Sequence, residues 1–365
     1  MPLLQMVDLR RCLGTSGSGR RVLTRHTPAS ASHLAHSANT TASSCATNAS
    51  YAAAPARLPG RTFDRPIVIS SHPKRDGSCK LFYDDRGAQL FEQITALDEY
   101  YPTRAEQRIM RAAGAEIAAQ VGPECLLIEY GSGSSQKTRI LRDNLERPAG
   151  YVPIDISREQ LRESAAALAD AYPGLRVLPV CGDYTASLQL PTQLPACKRR
   201  LAYYPGSTIG NFVPQEAGRF LTRIAEVCGR DGGLLIGVDL KKDPLMLHRA
   251  YNDALGVTSA FNLNILARLN RELGSDFALD QFRHYAFYNP VFARVEMHLV
   301  SLTEQVVRLR DVNIHFDRGE SIWTEASYKY NPPEFAALAR EAGWRVEQLW
   351  TDDRGLFSVQ YLEVA

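Results

Sequence analysis

The spacing of apolar positions changes several times along the chain, and each change predicts an element. Ile109, Ala113 and Ile117 recur at spacing four, with Met110 and Val121 beside them, as on the buried face of a helix. Thr103 with Glu106 three residues on reads as a capping box opening that helix, and Gly122-Pro123 ends it. Short apolar runs then alternate with helical periods. Cys125–Tyr130, Tyr151–Asp155, Arg176–Val180, Arg200–Tyr204 and Gly233–Asp239 read as strands. Between them, Lys137–Leu145, a segment capped by Ser157 and Gln160 and running through Leu168, and Glu216–Cys228 read as helices. This alternation predicts an α/β fold with a doubly wound, parallel sheet. The rhythm breaks at about Lys241. A helical stretch over Tyr251–Leu273 and strands such as Val291–Leu302 read as an insertion carrying a second lobe. Pro333–Gly343 as helix and Leu356–Val364 as strand then return to the sheet.

The first 60 residues follow neither period. Between Pro28 and Ala56, 20 of 29 residues are Ala, Ser or Thr and none is charged, too little apolar surface to offset the entropy of ordering. Arginines precede this stretch, and Asp8 is the only acid before residue 61. That composition fits a disordered extension or an organelle transit peptide. Residues 61–102 and 241–330 are assigned to the second lobe, and 103–240 with 331–365 to the sheet domain.

Composition narrows the function classes. A length of 365 residues suggests about two domains. Lys+Arg 42 against Asp+Glu 40 gives a net charge of +2, which offers no electrostatic footprint for nucleic acid. The 7 cysteines form no C-x-x-C pair, so neither a disulfide framework nor a cysteine-based metal site is expected. No metal site is assigned. Apolar runs stop short of the roughly 18 residues that a membrane span needs. A cytoplasmic monomer acting on a small molecule is expected.

Candidate chemistry lies at the carboxyl ends of the predicted strands, where doubly wound sheets bind ligands. The first strand runs into Glu129-Tyr-Gly131-Ser-Gly133-Ser-Ser-Gln136-Lys137. Asp155 ends the second strand and Asp183 follows the third. The glycine turn admits a ligand close to the backbone, Asp155 suits ribose hydroxyls and Asp183 an adenine edge. A dinucleotide fingerprint requires glycine where Gln136 stands, so that reading fails. S-adenosyl-L-methionine has no pyrophosphate and fits Glu129, Asp155 and Asp183.

Further motifs occur in order over residues 65–365. They are Tyr83-Asp-Asp-Arg-Gly87, Leu90–Thr95, Glu99–Arg104, Gly131–Arg139, Gly206-Ser-Thr-Ile-Gly-Asn211, Arg249–Gly256 and Thr324-Glu325-Ala-Ser327. Together they resemble the histidine Nα-methyltransferases of ergothioneine biosynthesis. The resemblance implies a Rossmann-like methyltransferase that trimethylates the α-amine of L-histidine to hercynine with S-adenosyl-L-methionine. It implies that Gly131, Gly133 and Lys137 flank the cofactor, with Asp155 at its ribose and Asp183 at its adenine. Asn211 and Tyr251 would hold the substrate carboxylate, Glu325 and Ser327 its imidazole, and Met297 would line the same pocket. Tyr100 would lie near that carboxylate and Tyr83 by the amine, and both would serve catalysis. Gln136, Tyr328 and Tyr330 depart from the family's usual residues.

The residue types suit that reading. Methyl transfer is an in-line displacement that needs a free lone pair, an open line of attack and a dry pocket, so positioning can supply most of the acceleration. An acid at position 325 selects imidazole over a plain aromatic ring, because a site built to hydrogen-bond rejects ligands without the partner. Methylation of another amine in the same cleft is the alternative within this class. A nicotinamide-dependent oxidoreductase and a non-catalytic binding module are the alternatives outside it.

Overall fold

The computed structural model describes residues 81–133, 136–185 and 189–365, together with the short strands β1 (Met6–Asp8) and β2 (Ile67–Ser70). Apart from β1, the expected N-terminal extension lies outside the described residues. The three residues of β1 depart from that expectation by pairing in parallel with β2.

Helix α1 (Asp85–Ala96) starts where the Asp84 side chain accepts from Gly87 N at 2.8 Å. The expected helix after Thr103 is two helices, α2 (Tyr101–Ala112) and α3 (Gly114–Val121). Its capping box is not formed. Pro102 opens α2 instead, and Glu106 lies inside the helix, fully buried. The sheet then builds through β3 (Cys125–Tyr130), α4 (Gln136–Asn144), β4 (Gly150–Asp155) and α5 (Arg158–Ala171). Ser157 stands at the start of α5 but makes no side-chain cap. The third strand, β5, is only Val180–Cys181, with a single bridge from Val177 to Tyr151. Its segment is half-exposed at the sheet edge, where Pro179 removes a ladder donor. Strands β6 (Arg199–Tyr204) and β7 (Gly233–Asp239) flank α6 (Pro214–Cys228).

Helices α7 (Pro244–Tyr251) and α8 (Val257–Leu273) lead into β8 (Phe282–Asn289) and β9 (Arg294–Ser301). A hairpin of β10 (Gln305–Leu309) and β11 (Val312–Phe316) precedes β12 (Ser321–Tyr328). The chain ends with α9 (Pro332–Glu341), β13 (Trp344–Thr351) and β14 (Phe357–Val364). Asn331 and Glu334 form a capping box at α9.

Seven strands form one sheet in the order β13-β14-β7-β6-β3-β4-β5. The five from β7 to β5 are parallel, and β14 runs antiparallel to both β7 and β13. Both faces are covered. Leu126, Ile128 and Tyr130 pack with α6 and α9, whereas Cys125 and Leu127 pack with α2, α3 and α4. This is the doubly wound arrangement that the strand–helix alternation predicts. A second sheet, β1-β2-β12-β9-β8, packs against α1, α7 and α8 around its own core.

The two sheets meet where β12 ends. Tyr330 N donates to Asp239 O at 3.2 Å and Lys241 N to Tyr330 O at 2.9 Å, joining the end of β12 to the carboxyl end of β7. Side chains of the second sheet thereby reach the top of the first.

Candidate active site

The described pocket lies at this junction, with an empty volume of about 650 Å³ counting its open mouth. Tyr83, Tyr100, Asn211, Tyr251, Met297, Glu325 and Ser327 all line it. Residues from six separate segments of the chain thus converge on one cavity.

Each is placed by local structure. Tyr83 precedes the α1 cap and packs edge-on against Phe91 and Phe261, with ring centroids 5.7 and 5.9 Å away. Tyr100 precedes α2 and lies edge-on to Tyr251 at 6.4 Å. Burial, then the neighbouring Tyr251 and Tyr83, raise its phenol well above the ordinary value, so Tyr100 is a neutral hydroxyl. Tyr251 ends α7. Met297 on β9 stands opposite Glu325 on β12. A register shift between Trp323 and Glu325 is followed by Glu325, Ser327 and Lys329 at alternating positions, which share one face of the strand.

Asn211 closes a short 3-10 turn, Thr208–Asn211, after β6. Its Nδ2 donates to Glu325 Oε1 at 2.9 Å. Gly210 permits the close approach, since a Cβ there would lie 2.7 Å from the Tyr328 carbonyl oxygen. Ser207 takes a left-handed conformation with φ 57°, and its Oγ accepts from Asp239 N at 2.8 Å. A non-glycine residue in this region is uncommon and is held here by that bond. Burial pushes the Glu325 carboxyl up to about 7, with Lys329 working the other way.

Part of the pocket wall is a buried charge cluster that the sequence reading missed, with Asp239 and Lys329 among the lining residues. Lys329 Nζ contacts Asp239 Oδ2 at 2.7 Å, Ser327 Oγ at 2.8 Å and Tyr251 OH at 3.0 Å. Asp239 also holds Lys242 and accepts from the Tyr101 hydroxyl at 2.8 and 2.9 Å. Burial disfavours the charge on Asp239, but the two lysines outweigh it and lower its carboxyl. Burial draws Lys242 down to about 8 despite Asp239. For Lys329 the adjacent Asp239 outweighs burial, and its ammonium is raised. A lysine two residues beyond Ser327 and an acid at the end of β7 were the available signals.

The proposed cofactor residues lie at the carboxyl ends of β3 to β5. Gly131 and Gly133 adopt positive φ of 76° and 47°, and Gly133 N donates to Asp155 Oδ2 at 3.3 Å. Asp183 accepts from Thr185 N and Oγ1 at 2.9 and 2.6 Å. Ser132 Oγ is buried in the glycine turn with no partner among the described residues. Glu129 is turned inward to Thr138 and Tyr151, and burial pushes its carboxyl up to about 7 against those bonds. Through Oε2 it therefore ties β3 to α4 and β4. Lys137 Nζ meets the buried Glu106 at 2.6 Å, and Glu106 also accepts from Gly206 N at 2.9 and 3.0 Å. The same Gly206 turn lines the pocket, so the glycine-loop side and the pocket share one wall. An ammonium at Lys137, a carboxylate at Asp155 and an unpartnered Ser132 hydroxyl suit the carboxylate and ribose of S-adenosylmethionine. Among the described residues there is no group of three or more His, Cys, Asp or Glu able to hold a metal, and no helix long and apolar enough to cross a membrane.

The chain is similar to known proteins. The chain is 44% identical over 285 residues to a histidine N-alpha-methyltransferase of Mycolicibacterium smegmatis, covering 77% of this chain and 88% of that one. It is 43% identical over 285 residues to the enzyme of the same name from Mycobacterium tuberculosis, with the same coverage. An ergothioneine biosynthesis protein 1 of Neurospora crassa is 32% identical over 308 residues, which is 78% of this chain and 33% of that longer one. Residues 68–364 match the family described as histidine-specific, S-adenosylmethionine-dependent methyltransferases. With its glycine loop and its acid-lined pocket sharing the Gly206 turn, the chain belongs to that family of histidine-specific methyltransferases.

Proposed function

We propose that this chain trimethylates the α-amine of L-histidine to hercynine, the first step toward ergothioneine, and that it works as a cytoplasmic monomer without nucleic acid or membrane. The observation that carries the reading is Glu325, a carboxylate held by Asn211 inside a pocket walled by tyrosines. The sheet domain (103–240 and 331–365) binds the cofactor, and the lobe formed by 61–102 and 241–330 holds most of the substrate.

S-adenosylmethionine, when bound, supplies an electrophilic methyl group on a sulfonium. Gly131, Gly133, Lys137, Asp155 and Asp183 hold it. Glu325 accepts from an imidazole N–H, Ser327 meets the other ring nitrogen, and Asn211 and Tyr251 receive the carboxylate. Met297 packs against the ring. Tyr83 and Tyr100 orient the amine through their hydroxyls. Each methylation needs a neutral amine, so three protons leave over three turnovers. We assign their relay to Tyr83 acting through water. The rest of the acceleration comes from alignment and from the exclusion of water.

Calorimetry in the presence of S-adenosylhomocysteine tests this. L-histidine should bind, histamine more weakly for want of a carboxylate, and L-phenylalanine not measurably. Equal binding of L-phenylalanine and L-histidine would overturn the assignment.

A further inference from the structure

The ammonium of Lys329 has three N–H donors and three acceptors: Asp239 Oδ2, Ser327 Oγ and Tyr251 OH. Its side chain is 1% exposed, so water offers no substitute partner. The consequence lies in the direction of the two hydroxyl protons. A hydroxyl that accepts from an ammonium has its own proton left to give. Without substrate, Tyr251 gives its proton to Ser327 Oγ at 2.9 Å. Ser327 then accepts from both Tyr251 and Lys329, and its only remaining capacity is to donate toward the cavity.

We infer that Lys329 is a positioning residue for substrate selection: it fixes Ser327 and Tyr251 as hydrogen-bond donors, so that the pocket accepts a neutral imidazole ring and an ionised carboxylate. This rests on the proposed placement of L-histidine. The pocket then presents one acceptor, the Glu325 carboxylate, and one donor, the Ser327 hydroxyl. A neutral imidazole carries the complementary pair, one N–H and one bare nitrogen. A ring with two N–H groups, or with none bare, leaves a buried donor unpaired. When a carboxylate binds, Tyr251 turns that one proton from Ser327 to it, and Ser327 still accepts from Lys329 and keeps its own proton for the ring. Asp239 fixes the ammonium from its other side.

The test compares L-histidine with its two pyrrolylalanine analogues, in each of which one ring nitrogen is replaced by CH. Binding is measured by calorimetry with S-adenosylhomocysteine present. The full-length wild type should bind both analogues about 10- to 100-fold more weakly than L-histidine. In Lys329→Met the better analogue should come within about threefold of L-histidine, with S-adenosylhomocysteine affinity unchanged. Undiminished discrimination in Lys329→Met would overturn the proposal. So would a wild type that binds L-histidine without discriminating, and the histidine assignment itself would survive that result. A wild type that binds no L-histidine would remove the assignment and the proposal together. Should Lys329→Met not fold, ¹⁵N spectra of ring-labelled L-histidine bound to the wild type at pH 6 decide. One bare ring nitrogen is expected, and two protonated nitrogens contradict the proposal.

Discussion

Asn211 and Glu325, 114 residues apart in sequence, are joined by a 2.9 Å hydrogen bond from the amide Nδ2 to the carboxylate Oε1. One sits on the turn after β6 and the other on β12, so this bond crosses between the two sheets. It leaves Glu325 Oε2 for a ligand. Because burial pushes this carboxyl up to about 7, it is mostly protonated below neutrality and ionised above it. An ionised carboxylate is the stronger acceptor. Histidine affinity should therefore rise as pH increases through about 7. Glu325→Gln should remove this inflection, leaving only those of the substrate, in calorimetric profiles from pH 6 to 9.

The same shift has a stability consequence of opposite sign. A carboxyl raised above its ordinary value of 4.5 favours the fold while protonated and loses that contribution as pH rises through about 7. Glu325→Gln carries no such loss. The ligand-free variant should be more stable than the wild type at pH 8 by roughly 1–3 kcal/mol, with the gap closing toward pH 5. Melting curves at the two pH values check it. A gap that does not change with pH would contradict the buried, ionised carboxylate.

Gly210 supports Asn211 from behind. A Cβ at this position would meet the Tyr328 carbonyl oxygen at 2.7 Å and the Tyr328 nitrogen at 3.2 Å, and backbone atoms cannot rotate away. Gly210→Ala should separate the turn from β12 and break the Asn211–Glu325 bond. The expected result is a loss of histidine affinity of at least about tenfold, with S-adenosylhomocysteine binding retained.

Asp239 answers two buried lysines. Its removal leaves both ammonium groups without a counter-charge. Asp239→Ala should cost about 3–5 kcal/mol of stability, read from chemical denaturation, whereas the double change Asp239→Asn with Lys242→Met should recover part of it. Equal losses in the two would contradict the charge-pairing account.

Tyr83 tests the proton relay. Tyr83→Phe should slow the third methylation more than the first, since the dimethylated amine has the fewest other routes for its proton. Following the mono-, di- and trimethyl products over time checks this. Equal slowing of all three steps contradicts the role.

Most of the sheet was legible because each strand is a short apolar run closed by a glycine turn or an acid, and a strand buried on both faces has little other choice. The edge strand β5 was misplaced because a two-residue pairing leaves almost no periodic signal. Strand β13 went unread because half of its positions face solvent. Glu106 shows how a local rule can mislead. Thr103 and Glu106 have the spacing of a capping box, yet Pro102 starts the helix and Glu106 turns inward to Lys137 and Gly206. The pocket residues came from motif resemblance, since no spacing rule relates Tyr83 to Ser327. The charges beside them, Lys329, Asp239 and Lys242, join into one cluster only because β12 runs onto the end of β7, a long-range pairing that no local pattern announces.

Mass spectrometry of L-histidine incubated with the purified full chain and S-adenosylmethionine reads the reaction itself. Successive gains of one, two and three methyl groups on the α-nitrogen, abolished in Glu325→Ala, are the predicted result. No gain on L-histidine by a folded protein that still binds S-adenosylhomocysteine would contradict the account.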